Sequence, residues 1–203
     1  MGRGRIAAHC VECVKQAGNG PIDEYSARVA TGYVQLMSKL VQYILDQVFL
    51  RIQAPNAARQ IGALPYTVID GRIVFLLVTS RRSGRWIVPK GSIVTGETPW
   101  RSAELEALEE AGVEGIVDPE PIGTYRTIKK SGLTRHVVEV DLYALCVIKQ
   151  HNTWLEQGKR HRHWVLLREA KRLLSDPALA GLVTELSRRV MAGNQPTIHR
   201  IDA

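Results

Sequence analysis

The stretch that decides the fold is Gly91-Ser-Ile-Val-Thr-Gly-Glu97-Thr-Pro-Trp100-Arg-Ser-Ala-Glu-Leu105-Glu106-Ala-Leu-Glu109-Glu110-Ala-Gly112-Val113. It reads as a loop entering a helix. Thr98 offers a side-chain oxygen to the first free amides, Pro99 suits the first helical position, and Gly112 suits the stop. Ala, Leu and Glu fill the interval, all strong helix formers. At 3.6 residues per turn, Trp100, Ala103, Ala107 and Ala111 share a side that can face a core, and Glu106, Glu109 and Glu110 share another. Like charges so spaced cost about 0.2–0.5 kcal/mol per pair, so the helix gains nothing from them. A hard divalent cation turns that repulsion into a binding site, because Mg²⁺ takes carboxylate oxygens and keeps some of its waters. The plain alternative is a solvated glutamate face, which is common.

The chain around this stretch has 203 residues, enough for one full-sized domain and an appendage. A hydrophobic content of 45% and a charged content of 23% are those of an ordinary soluble globular protein. Lys and Arg outnumber Asp and Glu by 27 to 20, a net charge of +7, which favours anionic partners without naming one. Three cysteines are an odd number and give no disulfide framework, so a reducing cytoplasm is the expected compartment. No segment approaches the roughly 18 uninterrupted apolar residues of a membrane span. The amino terminus has neither the apolar core of a secretory signal nor, with Ile6 at its sixth position, a myristoylation pattern.

Residues 1–57 read as an extension distinct from a domain over 58–193, with 194–203 as a tail. Cys10-Val-Glu-Cys13 lacks the second pair that a four-ligand zinc site needs, so ordinary thiols are expected. From Tyr33 to Ile52 apolar residues recur at helical spacing, giving an amphipathic helix. Three readings of it stay open: packing on its own domain, a contact in a homodimer or at a membrane surface, or a segment left untranslated by initiation at Met37. Its low positive charge disfavours the membrane surface. Beyond residue 58 come Ile61–Ile69 and Arg72–Thr79, strands joined by an Asp70-Gly71 hairpin turn. A basic turn over 80–85 leads to a short strand over 86–90. After Val113 the pattern gives a loop at Asp118-Pro-Glu-Pro121, strands over 122–128, 136–148 and 162–167, and helices over 168–174 and from the Asp176-Pro177 start to about Met191. The order is a mixed β sheet with the carboxylate helix inserted.

The frame of one glycine, five residues, Glu97, seven residues, then Leu-Glu-Ala-Leu-Glu-Glu-Ala-Gly-Val resembles the Nudix box, G-x5-E-x7-R-E-U-x-E-E-x-G-U with U a bulky aliphatic. Two positions depart: Leu105 stands where the box has arginine, and Ala107 is a small version of the aliphatic. Ala63-Leu-Pro-Tyr66, Trp86-Ile-Val-Pro-Lys-Gly91, Ile122-Gly-Thr-Tyr-Arg126 and the 154–164 segment look like the diphosphoinositol and diadenosine polyphosphate phosphohydrolase branch. The resemblance covers about residues 59–191. It implies an α/β/α sandwich around a mixed sheet, and metal-dependent attack of water on a phosphoanhydride. It also implies Mg²⁺ or Mn²⁺ on Glu106 and Glu110, with Glu97 and the Gly91 carbonyl as further ligands, and Glu109 as proton acceptor. An arginine at 105 would reach Glu109 across i, i+4; leucine cannot, so either another cation substitutes or Glu109 is less well held.

Basic residues supply the complementary signal. Arg81, Arg82 and Arg85 precede the box, Lys90 adjoins it, and Lys129, Lys130 and Arg135 flank a later turn. Lys159, Arg160 and Arg162 follow, with His161 and His163 alternating among them. Together they suit a ligand with several phosphates, since each contact with an anionic oxygen is charge-assisted. The favoured partner is a dinucleoside or diphosphoinositol polyphosphate. Removal of pyrophosphate from an RNA 5′ end is the neighbouring reading, and nucleic acid is not favoured because no aromatic stacking platform is visible. A catalytically weak module that only binds a phosphorylated ligand is the rival, and Leu105 is its support. ADP-ribose and coenzyme A hydrolysis are disfavoured, as neither a downstream proline at the usual spacing nor a Phe-Pro-Gly-Gly before the box is present.

Overall fold

The computed structural model describes residues 24–52, 57–131 and 134–193. Cys10, Cys13 and the apex of the second basic turn lie outside the described residues. Two compact units are present, Met1–Val48 and Phe49–Ala203. The first carries all but the last turn of helix α1 (Glu24–Ile52), which begins ahead of the expected Tyr33. Tyr25 and Val29 continue the same four-residue spacing, and a lone Gly32 costs only about 1 kcal/mol, so the helix runs through it. No helix among the described residues is long and apolar enough to cross a membrane.

The second unit is built on a seven-stranded mixed sheet. Strand β1 (Ala58–Ile69) pairs antiparallel with β2 (Arg72–Thr79) only near their shared turn, from Tyr66↔Phe75 to Ile69↔Arg72. Asp70 and Gly71 take the left-handed conformation that this turn requires, at φ 49° and 71°. Away from the turn, each strand finds a different partner. Two-residue strands β3 (Trp86–Ile87) and β4 (Lys90–Gly91) pair with β2 and β1 respectively. Pro89 breaks the segment between them, since it has no N–H to give, and its carbonyl accepts from Ala63 N at 3.0 Å. Lys90 and Gly91 are thereby fixed on the edge of β1.

On its other edge β1 runs parallel to β6 (Thr134–Gln150), from Ala58↔Val138 to Tyr66↔Cys146. Strand β5 (Val113–Ser131) closes that end of the sheet. The loop expected at Asp118–Pro121 is instead part of β5, which passes through it with register shifts between Val117 and Pro121 and between Pro121 and Gly123. Prolines are admitted there because β5 is an edge strand and bulges absorb their missing donors. Strand β7 (Arg162–Leu166) pairs with β2.

Helices cover both faces, as the α/β/α reading expects. Strand β2 shows why: Phe75 and Leu77 enter one apolar cluster, and Leu76 and Val78 enter the other. Helix α2 (Pro99–Ala111) lays Ala103, Ala107 and Ala111 on the face with Ile61, Leu76, Val78 and Leu145. Helices α3 (Leu167–Leu173) and α4 (Pro177–Met191) cover the opposite face with Ala170, Leu179, Val183, Leu186 and Val190.

Candidate active site

Helix α2 starts and stops as its local chemistry dictates. The Thr98 side chain accepts from Arg101 N at 3.3 Å, Pro99 follows, and Gly112 ends the helix at φ 64° and ψ 40°. The entering loop is held by Ser102, whose hydroxyl accepts from Val94 N and donates to the Thr98 carbonyl, both at 3.0 Å. At the far end Arg162 donates to the Ala111 carbonyl at 2.8 Å and to the His151 carbonyl at 2.7 Å, and stacks over the Trp154 ring at 4.1 Å. A guanidinium there suits the partial negative charge of a helix C-terminus. Gly112 is required twice, because a Cβ at that position would also press into Trp154.

Three alanines toward the sheet leave Glu106 and Glu110 on the flank of α2 that adjoins β4. The Glu106 carboxylate lies so close over Gly91 that a Cβ on residue 91 would overlap it. The glycine of the motif is thus a cradle for a carboxylate. Glu110 is buried, and its Oε2 accepts from Lys90 N at 3.2 Å. Its Oε1 accepts from Arg160 Nη2, and Arg160 Nε also donates to Glu156. Glu109 is exposed, and its carbonyl accepts from Glu156 N at 3.2 Å. Glu97 is exposed in the loop, with Arg101 as its charged neighbour.

The electrostatics of these groups are linked. Burial pushes the Glu110 carboxyl up to about 7, against the pull of Arg160 and the Lys90 amide. Burial also raises Glu106, and the neighbouring charges of Glu109 and Glu156 act in the same direction. Lys90 is lowered, first by burial and then by Arg160, Lys129 and Arg85, while Glu110 opposes the shift. Lys129 and Arg85 are therefore near enough for their charge to be felt at Lys90.

The remaining basic residues divide. Arg81 Nη1 donates to Glu156 Oε1 at 2.8 Å, and Arg82 is exposed in the same turn. Arg135 stands opposite Lys130 in the β5–β6 register, next to the Lys129↔His136 pair. Lys159 and His161 are exposed, and His163 is exposed against the Trp86 ring at 5.9 Å between centroids. Glu156 was given no role from the sequence, and Arg160 appeared there as one more cation of a basic string. The two are four apart, but that spacing marks neighbours on a helix and not in a loop.

Among the described residues no three His, Cys, Asp or Glu side chains form a closed metal-holding group. The donors present are nonetheless of the right chemistry. They are hard carboxylate oxygens, one of them seated over a glycine that leaves room for it, which is what Mg²⁺ or Mn²⁺ takes.

A family model described as "NUDIX domain" matches residues 58–186. Nudix hydrolase 17, mitochondrial, of Arabidopsis thaliana is 31% identical over 159 residues, covering 72% of this chain and 84% of that protein. Nudix hydrolase 16, mitochondrial, of the same plant is 32% identical over 138 residues, covering 61% and 76%. The chain spans less than two thirds of some other relatives, including 64% of Nudix hydrolase 13, mitochondrial, at 29% identity. Among solved structures, a C. elegans Ap4A hydrolase binary complex superposes with a TM-score of 0.52 at 22% identity, over 68% of this chain and 99% of that one. That likeness is one of fold.

Proposed function

The chain belongs to the Nudix hydrolase family, and from that premise we propose that it is a pyrophosphohydrolase that opens a phosphoanhydride bond by attack of water at phosphorus. The observation that carries the reading is the seating of Glu106 over Gly91, with Glu110 buried beside Lys90. In this reading Glu106, Glu110 and the Gly91 carbonyl hold Mg²⁺ or Mn²⁺, with Glu97 a further ligand from the loop. A divalent cation bound there would neutralise the pyrophosphate and acidify water. Glu109, exposed at the end of α2, accepts the proton of the attacking water. The new P–O bond forms as the anhydride P–O bond breaks, and the second phosphate leaves as an anion. Arg81, Arg82, Arg85, Lys90, Lys129 and Arg135 hold the remaining phosphates, Lys90 from its half-buried place among the carboxylates.

This concentration of cations beside the carboxylates supports a polyphosphorylated small molecule, with dinucleoside and diphosphoinositol polyphosphates favoured. The exposed apolar residues of α1, among them Val34, Leu40 and Ile44, support self-association through that helix. Cysteine usage supports a reducing compartment such as the cytoplasm.

A panel tests the reading: diadenosine tetraphosphate, a diphosphoinositol polyphosphate and 5′-triphosphorylated RNA, each with Mg²⁺ or Mn²⁺. Wild type should turn over one of the first two fastest. Glu109→Gln and Glu110→Gln should lose about 10²–10⁴-fold, the range for removing a positioned acid–base group or disabling its site. Binding of these compounds without turnover by wild type would leave a phosphate-binding module instead.

A further inference from the structure

We propose that Arg160 is the positioning residue that fixes the orientation of Glu110, a cationic fork supplied to the box from outside it. The proposal rests on the reading of Glu110 as a ligand to a divalent cation. Arg160 is only 7% exposed, and its guanidinium is used on three sides. Nη2 donates to Glu110 Oε1, Nε donates to Glu156 Oε2, and Nη1 donates to the Thr79 carbonyl at 2.9 Å. These acceptors lie on α2, on the loop before β7 and at the end of β2, so one side chain ties the helix to both. Glu156 is buried as well, and its other oxygen accepts from Arg81 at 2.8 Å. Glu110 is thus gripped at both oxygens, by Arg160 at one and by Lys90 N at the other. That leaves the carboxylate one orientation, while each oxygen keeps a second lone pair for a cation.

Stability is a weak reason for keeping these charges. A buried ion pair recovers little more than the desolvation it costs, and apolar replacements of similar volume are often as stable. A planar guanidinium fork adds direction as well as charge, which a lysine does not. The half-buried side chain at 105 carries no donor, so nothing at that position of α2 can orient a carboxylate. The alignment of Glu110 comes from outside the helix, through Arg160 of the loop and the Lys90 amide.

A consequence separates this role from a merely structural or electrostatic one. Mg²⁺ demands near-octahedral ligands at short distance, whereas Ca²⁺ accepts looser sites. Both carry the same charge, so a lost positive charge at 160 shifts their affinities together. Their ratio reports ligand geometry.

The test uses the full chain with Mn²⁺ as probe, its binding followed by electron paramagnetic resonance and its displacement titrated with Mg²⁺ or Ca²⁺. Wild type is compared with Arg160→Lys, which keeps the charge but not the fork, and Arg160→Met, with circular dichroism melts to establish folding. The preference for Mg²⁺ over Ca²⁺ should fall on the order of tenfold in both variants, the scale of losing a partner behind a metal ligand. A ratio within roughly twofold of wild type in folded Arg160→Lys would overturn the proposal. Should Arg160→Met not fold, the lysine variant decides alone. Glu110→Gln distinguishes the two readings: Mn²⁺ binding absent from wild type, or indifferent to Glu110→Gln, overturns the metal reading and this proposal together. Binding that depends on Glu110 with an unchanged ratio overturns this proposal only.

Discussion

Helices α2 and α4 begin alike and are put to opposite uses. Each opens with a side-chain cap, Thr98 or Asp176, followed by proline at the first position. Helix α4 then buries Leu179, Val183, Leu186 and Val190, and α2 buries Ala103, Ala107 and Ala111. Large side chains fill volume and stabilise through the apolar area they remove from water. Alanines contribute little area but let a helix backbone approach a sheet, so that short carboxylate stems reach β4. The charges follow the same division: α4 keeps Glu185, Arg188 and Arg189 at the surface, whereas α2 commits Glu110 to the interior against Arg160. One helix is built for stability, the other for placing groups.

The largest effect on stability should therefore come from α4. Leu186→Ala removes a side chain that is 3% exposed from the larger apolar cluster. It should lower the unfolding free energy by about 2–5 kcal/mol in urea denaturation, while turnover per folded molecule stays level. A loss of activity in step with α2 variants would mean that the two helices are not separable in this way.

The reverse substitution sharpens the contrast. Ala107→Leu forces extra volume between α2 and the strand residues Leu76 and Val78. Overpacking should cost about 1–3 kcal/mol, less than the cavity in α4. Activity should fall much further than that stability loss explains, because α2 moves away from Gly91 and Glu106 loses its seat. Kinetics at a temperature well below the variant's melting transition would check this, and unchanged turnover would show that close approach of α2 is not needed.

What could be read from the sequence divides along the same line. Helix α2 was legible because its caps and its alanine spacing are local: Thr98, Pro99 and Gly112 act within a turn of themselves. The Nudix frame gave the family and the position of the carboxylates for the same reason. Strand β5 was not legible through Asp118–Pro121, because its irregular pairing is decided by β6, whose partner residues lie beyond residue 134. The string from Lys159 to Arg162 misled by composition. It reads as uniform positive charge, yet Lys159 faces solvent, Arg160 turns inward to Glu110, and Arg162 closes the end of α2 on Trp154. Gly158 at φ 83° makes part of the turn that aims these neighbours apart, and a loop has no period from which such directions could be read.

The smallest expected effect lies in the surface charges of α4, and its sign is fixed by linkage. Hydrogen bonds from Arg188 and Arg189 pull the Glu185 carboxyl down to about 2, from an ordinary value of 4.5. The unfolded chain therefore binds this proton more readily than the folded one, so the carboxylate stabilises the fold above about pH 4.5 and loses that contribution as the pH falls to about 2. Glu185→Gln should make the acid-side decline of stability shallower over that window and change little at neutral pH, because exposed ion pairs are weakened by solvent and salt. Burial pushes Glu110 on α2 the opposite way, so the two helices differ in the sign of their charge effects as well as in their size. Melting temperatures of wild type and Glu185→Gln between pH 2 and 7, in low salt, would show the difference, and parallel curves would mean that the three side chains of this surface cluster do not hold one another in solution.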